Sequence, residues 1–272
     1  MKFIPYVCCG DPNLDFTYKV VKTLAPYSHI IELGIPFSDP IADGKTIQAA
    51  ANRALTAGQK NAVNIRHDSH DDALKNGVNT EQIFEMVKKL RSEKIAVPFV
   101  FMTYYNIIYS YDSEKFLRAM NEANVQGLII PDLPFGEDKE FEKLAEEYEI
   151  SIINLIAPNT KEERAKEILN NEKKFTYLVS VAGTTGARGE VSEQSLEFVK
   201  KIRPLAPNGQ LFVGFGISNA EQAKKFVQAG ADGVIVGSEI INIYSKYIVN
   251  GKIDENKVLE EIEKFAEVIQ SA

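Results

Sequence analysis

Short apolar runs rich in β-branched residues alternate along almost the whole chain with longer stretches in which apolar positions recur every three or four residues. The short runs predict strands at 3–7, 29–33, 98–102, 127–130, 151–156, 176–179, 210–214 and 233–236, eight in all. The longer stretches predict helices. Within 81–91, Ile83, Phe84, Val87 and Leu90 share one face; similar faces recur in 113–124, 138–148, 161–169, 193–202 and 220–229. Residues 254–269 align Val258, Leu259, Ile262, Phe265, Ala266 and Ile269. Continuously apolar strands are expected where helices cover both faces of a parallel sheet. Eight strand–helix units favour closure into a (β/α)8 TIM barrel over an open doubly wound sheet. No stretch has the composition of an interdomain linker, so a single barrel domain over residues 1–272 is expected.

One stretch breaks the rhythm. Residues 59–72 are polar with weak periodicity, between the similar fragments Ala54-Leu55-Thr56-Ala57-Gly58 and Ala73-Leu74-Lys75-Asn76-Gly77. Deleting 56–74 would join Arg53-Ala54-Leu55 to Lys75-Asn76-Gly77, so this stretch reads as an insertion.

The 272 residues suit one such barrel, which needs ~250. A net charge of −7 argues against a general nucleic-acid binder, though not against an anionic substrate that a few backbone amides would hold. No apolar run approaches the ~20 residues of a membrane helix, and the opening Met1-Lys2-Phe3-Ile4-Pro5-Tyr6-Val7 reads as a strand rather than a signal peptide. Cys8 and Cys9 are adjacent and point to opposite faces of a strand, which disfavours a bridge and suits a reduced, cytoplasmic protein.

In such barrels the active site lies on the loops after the strands. The richest of these is Glu32-Leu33-Gly34-Ile35-Pro36-Phe37-Ser38-Asp39-Pro40-Ile41-Ala42-Asp43-Gly44. Glu32 belongs to the strand, and a desolvated carboxylate there becomes a proton donor and acceptor near neutrality; the alternative is a core glutamate satisfied by a partner. Asp43 is the second candidate, for holding a donor or developing positive charge, whereas Asp39 in Ser-Asp-Pro reads as a turn residue. Gly214-Phe215-Gly216-Ile217-Ser218 and Gly237-Ser238 follow the seventh and eighth strands, the usual phosphate-binding position. The loop Ala182-Gly183-Thr184-Thr185-Gly186-Ala187-Arg188-Gly189 has the composition of a lid, with Arg188 reading as solvated. His67 and His70, followed by Asp71 and Asp72, lack a third ligand cluster, and no metal site is expected.

The loop from Glu32 to Gly44 closely resembles the signature loop of the tryptophan synthase alpha subunit family, the indole-3-glycerol-phosphate lyases. The resemblance continues through Gly10-Asp11-Pro12, Pro131-Asp132-Leu133-Pro134, Gly183-Thr184-Thr185-Gly186, Gly214-Phe215-Gly216-Ile217-Ser218 and Gly237-Ser238, covering nearly the whole chain outside 56–74. It implies retro-aldol cleavage of indole-3-glycerol phosphate to indole and glyceraldehyde 3-phosphate, without a cofactor. By the same resemblance Glu32 is the general acid/base, and Asp43 accepts the indole N–H. Tyr6, Ile47, Tyr104, Tyr177 and Thr185 contact or support substrate, with Ile129 near the indole, and Gly186, Gly216, Gly237 and Ser238 bind its phosphate.

The resemblance also implies a tryptophan synthase beta chain as partner in an alpha2beta2 complex. Asp39, Tyr104-Tyr105-Asn106 and Asp132-Leu133-Pro134 would lie toward it, while nucleic acid and membrane are not expected partners. Lys45 stands where the family often has Pro, and Val181 where a lid Arg is common. The usual N-terminal helix is expected to be short or missing, uncovering the barrel floor. The insertion is expected near the catalytic side. Two other readings stand beside this one: another phosphosugar barrel enzyme, and a non-catalytic subunit that activates the beta chain.

Overall fold

In the computed structural model, residues 1–56, 77–179, 191–214, 216–249 and 252–272 are described. Nine strands form one sheet: β1 Lys2–Cys8, β2 Ile31–Gly34, β3 Phe99–Met102, β4 Gly127–Ile129, β5 Ser151–Ile153, β6 Leu155–Ile156, β7 Thr176–Val179, β8 Leu211–Gly214 and β9 Gly233–Val236. They run in the order β5-β4-β3-β2-β1-β9-β8-β7-β6, every pairing parallel. β5 and β6 are two halves of one stave, broken at Asn154, whose carbonyl accepts from Tyr177 N at 3.0 Å. The two ends of the sheet are therefore the same piece of chain, and the sheet is a closed barrel of eight staves. The single strand expected at 151–156 is split because its first half pairs only with β4 and its second only with β7.

Side-chain parity divides the core in two. Phe3, Ile31, Leu33, Phe99, Phe101, Leu128, Leu178 and Val234 face outward under the helices. Ile4, Val100, Ile129, Ile153, Phe175, Tyr177, Phe212 and Ile235 fill the lumen. Because alternate strand residues point to opposite faces, Glu32, between Ile31 and Leu33, belongs to the inward series; its register partners are Tyr6 on β1 and Val100 on β3.

The helices follow the predicted stripes. Thr80–Ser92 buries Ile83, Phe84, Met86, Val87 and Leu90, and starts in a capping box between Asn79 and Gln82. The final helix, Glu255–Gln270, buries Val258, Ile262, Ala266 and Ile269 and packs against Leu14–Leu24. That latter helix, together with Tyr105–Tyr111, Ser238–Ser245 and a small antiparallel hairpin of Ile248–Val249 with Lys252–Ile253, was not anticipated. No described helix is long and apolar enough to cross a membrane.

The barrel floor is not uncovered. Phe175 meets Phe212 edge-on at 5.0 Å, and His29 stacks on Phe212 at 5.9 Å. Phe212 is fully buried, and Lys2 Nζ bridges to Gln210 at the rim. Aromatic side chains of the chain itself close that end.

Most of the inserted segment lies outside the described residues, as do His67, His70, Asp71 and Asp72. Its two flanks are stitched together: Val78 N donates to Ala54 O at 3.1 Å, directly after the helix Lys45–Thr56. Val78 also sits against Gly10, beyond the C-terminal end of β1, which puts both flanks at the loop-bearing end of the barrel.

Candidate active site

The loop after β2 is shaped by its own backbone bonds and by one tyrosine. Ile41 N donates to Asp39 O and Asp43 N to Pro40 O, giving two consecutive tight turns. Asp39 is exposed, with Ser38 Oγ donating to its carboxylate, as befits a turn residue. Tyr104, on the loop after β3, is buried and stacks with Phe37 at 5.0 Å. Its hydroxyl accepts from Ala42 N at 3.0 Å and donates to Asp43 Oδ2 at 3.1 Å. The helix Lys45–Thr56 then begins, with Gln48 Nε2 donating to Asp43 O at 2.9 Å.

A cavity of about 160 Å³ opens where this loop meets the barrel mouth. Glu32 and Asp43 supply its carboxylates, and Tyr6, Tyr177, Ile47 and Met102 part of its walls. Gly216 and Ile217, after β8, and Gly237 and Ser238, after β9, also line it. The helix Ser238–Ser245 starts there without a side-chain cap, so its first amides face the cavity end.

Two rings lie flat on glycines. A Cβ at Gly34 would fall 2.2 Å from the Tyr6 hydroxyl, and one at Gly214 would fall 2.1 Å from that of Tyr177. Neither ring could occupy its place beside a residue with a side chain, so these positions set the cavity walls.

Glu32 is 1% exposed, and its Oε2 has no hydrogen-bond partner among the described residues. Burial, reinforced by the charge of Asp43, pushes its carboxyl up to about 8. Burial raises Asp43 to about 6, with the Tyr104 hydroxyl pulling the other way, and its Oδ1 likewise lacks a partner among the described residues. Near neutral pH the pair holds one neutral acid and one carboxylate. Environments that drive two carboxyls apart in this way divide acid and base work between them. The tyrosines feel the same surroundings: burial raises both Tyr6 and Tyr177 well above the usual phenol value.

Of the sequence-predicted residues, Tyr6, Glu32, Asp43, Ile47, Tyr177, Gly216, Gly237 and Ser238 share this one cavity. Tyr104 lines an adjoining recess and reaches the cavity through Asp43. Ile129 lies in the lumen cluster with Tyr177, away from the cavity lining. Thr185, Gly186, Arg188 and Val181 lie outside the described residues. Met102 and Ile235 were missed, although strand parity would have found them: each is an inward position at or near the C-terminal end of its strand.

Fold and site together define a (β/α)8 barrel whose mouth holds a buried, unequal pair of carboxylates against apolar walls and a free helix N-terminus. The family model for the tryptophan synthase alpha chain matches residues 1–67 and 64–270, its two pieces meeting within the segment that interrupts the sequence pattern. The chain belongs to that family.

The tryptophan synthase alpha chain of Methanocaldococcus jannaschii is 40% identical over 263 residues, 97% of this chain and 84% of its own. That of Methanococcus vannielii is 39% identical over 268 residues, 98% of this chain and 93% of its own. Among solved structures, the tryptophan synthase A-subunit of Pyrococcus furiosus superposes with a TM-score of 0.83 at 35% identity, covering 100% of this chain and 98% of that one. A chain from the Pyrococcus furiosus tryptophan synthase α2β2 complex gives 0.84 at 36% identity, with the same coverage of 100% and 98%.

Proposed function

We propose that the chain is the alpha component of tryptophan synthase, a carbon–carbon lyase that cleaves indole-3-glycerol phosphate into indole and glyceraldehyde 3-phosphate. The observation that carries the reading is the carboxylate pair, Glu32 raised to about 8 and Asp43 to about 6, in one apolar-walled cavity. Neutral Glu32 gives its proton to indole C3. The positive charge that develops on the ring is held at the indole N–H by the Asp43 carboxylate, oriented by Tyr104. Glu32, now a carboxylate, takes the proton of the hydroxyl on the carbon attached to C3. The carbon–carbon bond breaks, its electron pair returns to the ring as indole, and the hydroxyl carbon leaves as the aldehyde. The chemistry draws on no cofactor.

Tyr6, Ile47, Met102 and Tyr177 supply apolar surface for the indole. Gly216 and the first amides of Ser238–Ser245 meet the phosphate, together with Gly186, and Thr185 supports closure over the substrate. The tryptophan synthase beta chain is the proposed partner. Ile41, 85% exposed, and Tyr109, 74% exposed, project from the loop after β2 and the helix after β3, where Tyr105 N is tied to Asp132. Large apolar side chains left in water on these loop-side elements suit a protein interface.

The test is release of glyceraldehyde 3-phosphate from indole-3-glycerol phosphate, with and without a tryptophan synthase beta chain. Release that rises with the beta chain is the expected result. Release indifferent to the beta chain would refute docking, and binding without release in either case would refute the lyase.

A further inference from the structure

Outside the cavity lining, one carboxylate joins three elements of the site. Asp11, just after β1, has a side chain with no solvent exposure. Arg53 takes it with both arms, Nε to Oδ1 at 2.8 Å and Nη2 to Oδ2 at 2.7 Å, and the Tyr244 hydroxyl donates to Oδ2 at 2.6 Å. Arg53 Nη2 also reaches Ser245 Oγ at 3.1 Å.

Each partner ends an element whose other end is in the site. β1 carries Tyr6; the helix Lys45–Thr56 follows Asp43, carries Ile47 and ends near Arg53; the helix Ser238–Ser245 begins at the cavity and ends at Tyr244 and Ser245. The two helices touch directly, with Ala50, Ala51 and Ala54 buried on the first and Tyr244 on the second, where Phe16 meets Tyr244 edge-on at 5.5 Å. Small alanine side chains allow close approach but fix no register, because they present few ridges to interlock. The directional bonds at Asp11 supply what the alanines lack, since a bidentate guanidinium–carboxylate pair sets orientation as well as distance.

We propose that Asp11 is a positioning residue: through Arg53 and Tyr244 it sets the segment bearing Asp43 and Ile47 against the helix that begins at Ser238, and so fixes the spacing between the two ends of the substrate site. The proposal rests on the assignment of those two ends to the indole and the phosphate of one substrate. It distinguishes the role of Asp11 from that of Glu32 and Asp43, because Asp11 itself does not line the cavity.

The test compares Asp11→Asn, Arg53→Ala and Tyr244→Phe with the unaltered full-length chain, at a temperature where circular dichroism shows all of them folded. Tyr244→Phe removes one bond to Asp11 but leaves the Arg53 fork and the Arg53–Ser245 bond in place, and is expected to lower kcat by only about two- to threefold. Asp11→Asn and Arg53→Ala are expected to lower kcat by about 10- to 100-fold, the consequence of misplacing reacting groups by ~1 Å. Affinity for glycerol 3-phosphate, measured by calorimetry as a probe of the phosphate end alone, should fall much less, because each end stays intact while their spacing changes.

Arg53 is one-third exposed at its side chain, so added guanidinium ion can reach the place of its head group. Guanidinium chloride at a few tens of millimolar should restore several-fold of the kcat lost in Arg53→Ala, where sodium chloride at equal ionic strength does not. Folded Asp11→Asn and Arg53→Ala variants with kcat unchanged, or recovery equal in the two salts, would overturn the proposal. Failure of the unaltered chain to cleave indole-3-glycerol phosphate while it binds glycerol 3-phosphate would overturn the assigned reaction instead.

Discussion

Replacing Glu32 with glutamine tests the central electrostatic argument by stability rather than by rate. The carboxyl lies at its ordinary 4.5 in the unfolded chain and at about 8 in the folded one. Between these values the folded state holds one proton more than the unfolded state, so raising the pH favours unfolding. The stability associated with neutral Glu32 is complete below pH 4.5 and is lost as the pH rises through about 8. A span of about 3.5 pH units, at about 1.4 kcal/mol each, makes this loss up to about 5 kcal/mol. Glutamine has nearly the shape of the protonated acid and never ionises.

At pH 5 the two proteins should therefore differ by less than about 1 kcal/mol, whereas at pH 9 the variant should be the more stable by up to about 5 kcal/mol. Urea unfolding of both proteins at pH 5, 7 and 9 measures the difference. Taking the gap between them cancels titrations elsewhere, apart from that of Asp43, which is coupled to Glu32 and titrates jointly with it. A gap that stays constant across the pH range would mean that Glu32 titrates alike in folded and unfolded chains, and the acid–base assignment would fall with it. The same variant should lose several powers of ten in turnover.

Three further outcomes follow from the geometry. The pH profile of kcat/KM should be a bell with limbs near 6 and 8; Asp43→Asn should slow turnover by about 10²- to 10³-fold and shift the alkaline limb of the residual activity downward, because the negative charge that helps raise Glu32 is gone. An unmoved limb would uncouple the pair. Gly34→Ala places a methyl 2.2 Å from the Tyr6 hydroxyl, so the ring must leave the wall, and kcat/KM should fall by about 10-fold or more while the far-ultraviolet spectrum is retained; unchanged kinetics would dissociate Tyr6 from the substrate. Asn79→Ala breaks the capping box of Thr80–Ser92 and should cost about 1 kcal/mol in urea unfolding with no effect on turnover, an equal loss of activity being the contrary result.

Much of this protein was legible along the chain. Periodicity distinguished strands from helices because side-chain direction repeats every two residues in one and every 3.6 in the other, and that repeat is local. The apolar stripe of Thr80–Ser92 and the lone carboxylate among Ile31, Glu32 and Leu33 were visible for that reason. The glycines after β8 and β9 were visible too, since a close backbone approach must be written into the residue itself.

What the sequence left open depends on distance through space. Leu14–Leu24 is the exception, since its stripe of Phe16, Val20, Val21 and Leu24 recurs at helical spacing and is local. The break at Asn154 arises from pairing with two different neighbours, which no local pattern records. Tyr104 reads as one more aromatic beside a barrel mouth; only the fold puts its hydroxyl on Asp43.

The bond from Tyr244 to Asp11 joins positions 233 apart in sequence. The raised pKa of Glu32 is likewise a tertiary property: a glutamate in water has none of that rise, and it appears only when closure of the barrel removes the solvent and brings Asp43 alongside. Residue order determined which groups were available and which way each strand turned them. The closed barrel decided which of those groups met, because burial and charge act across space and not along the chain.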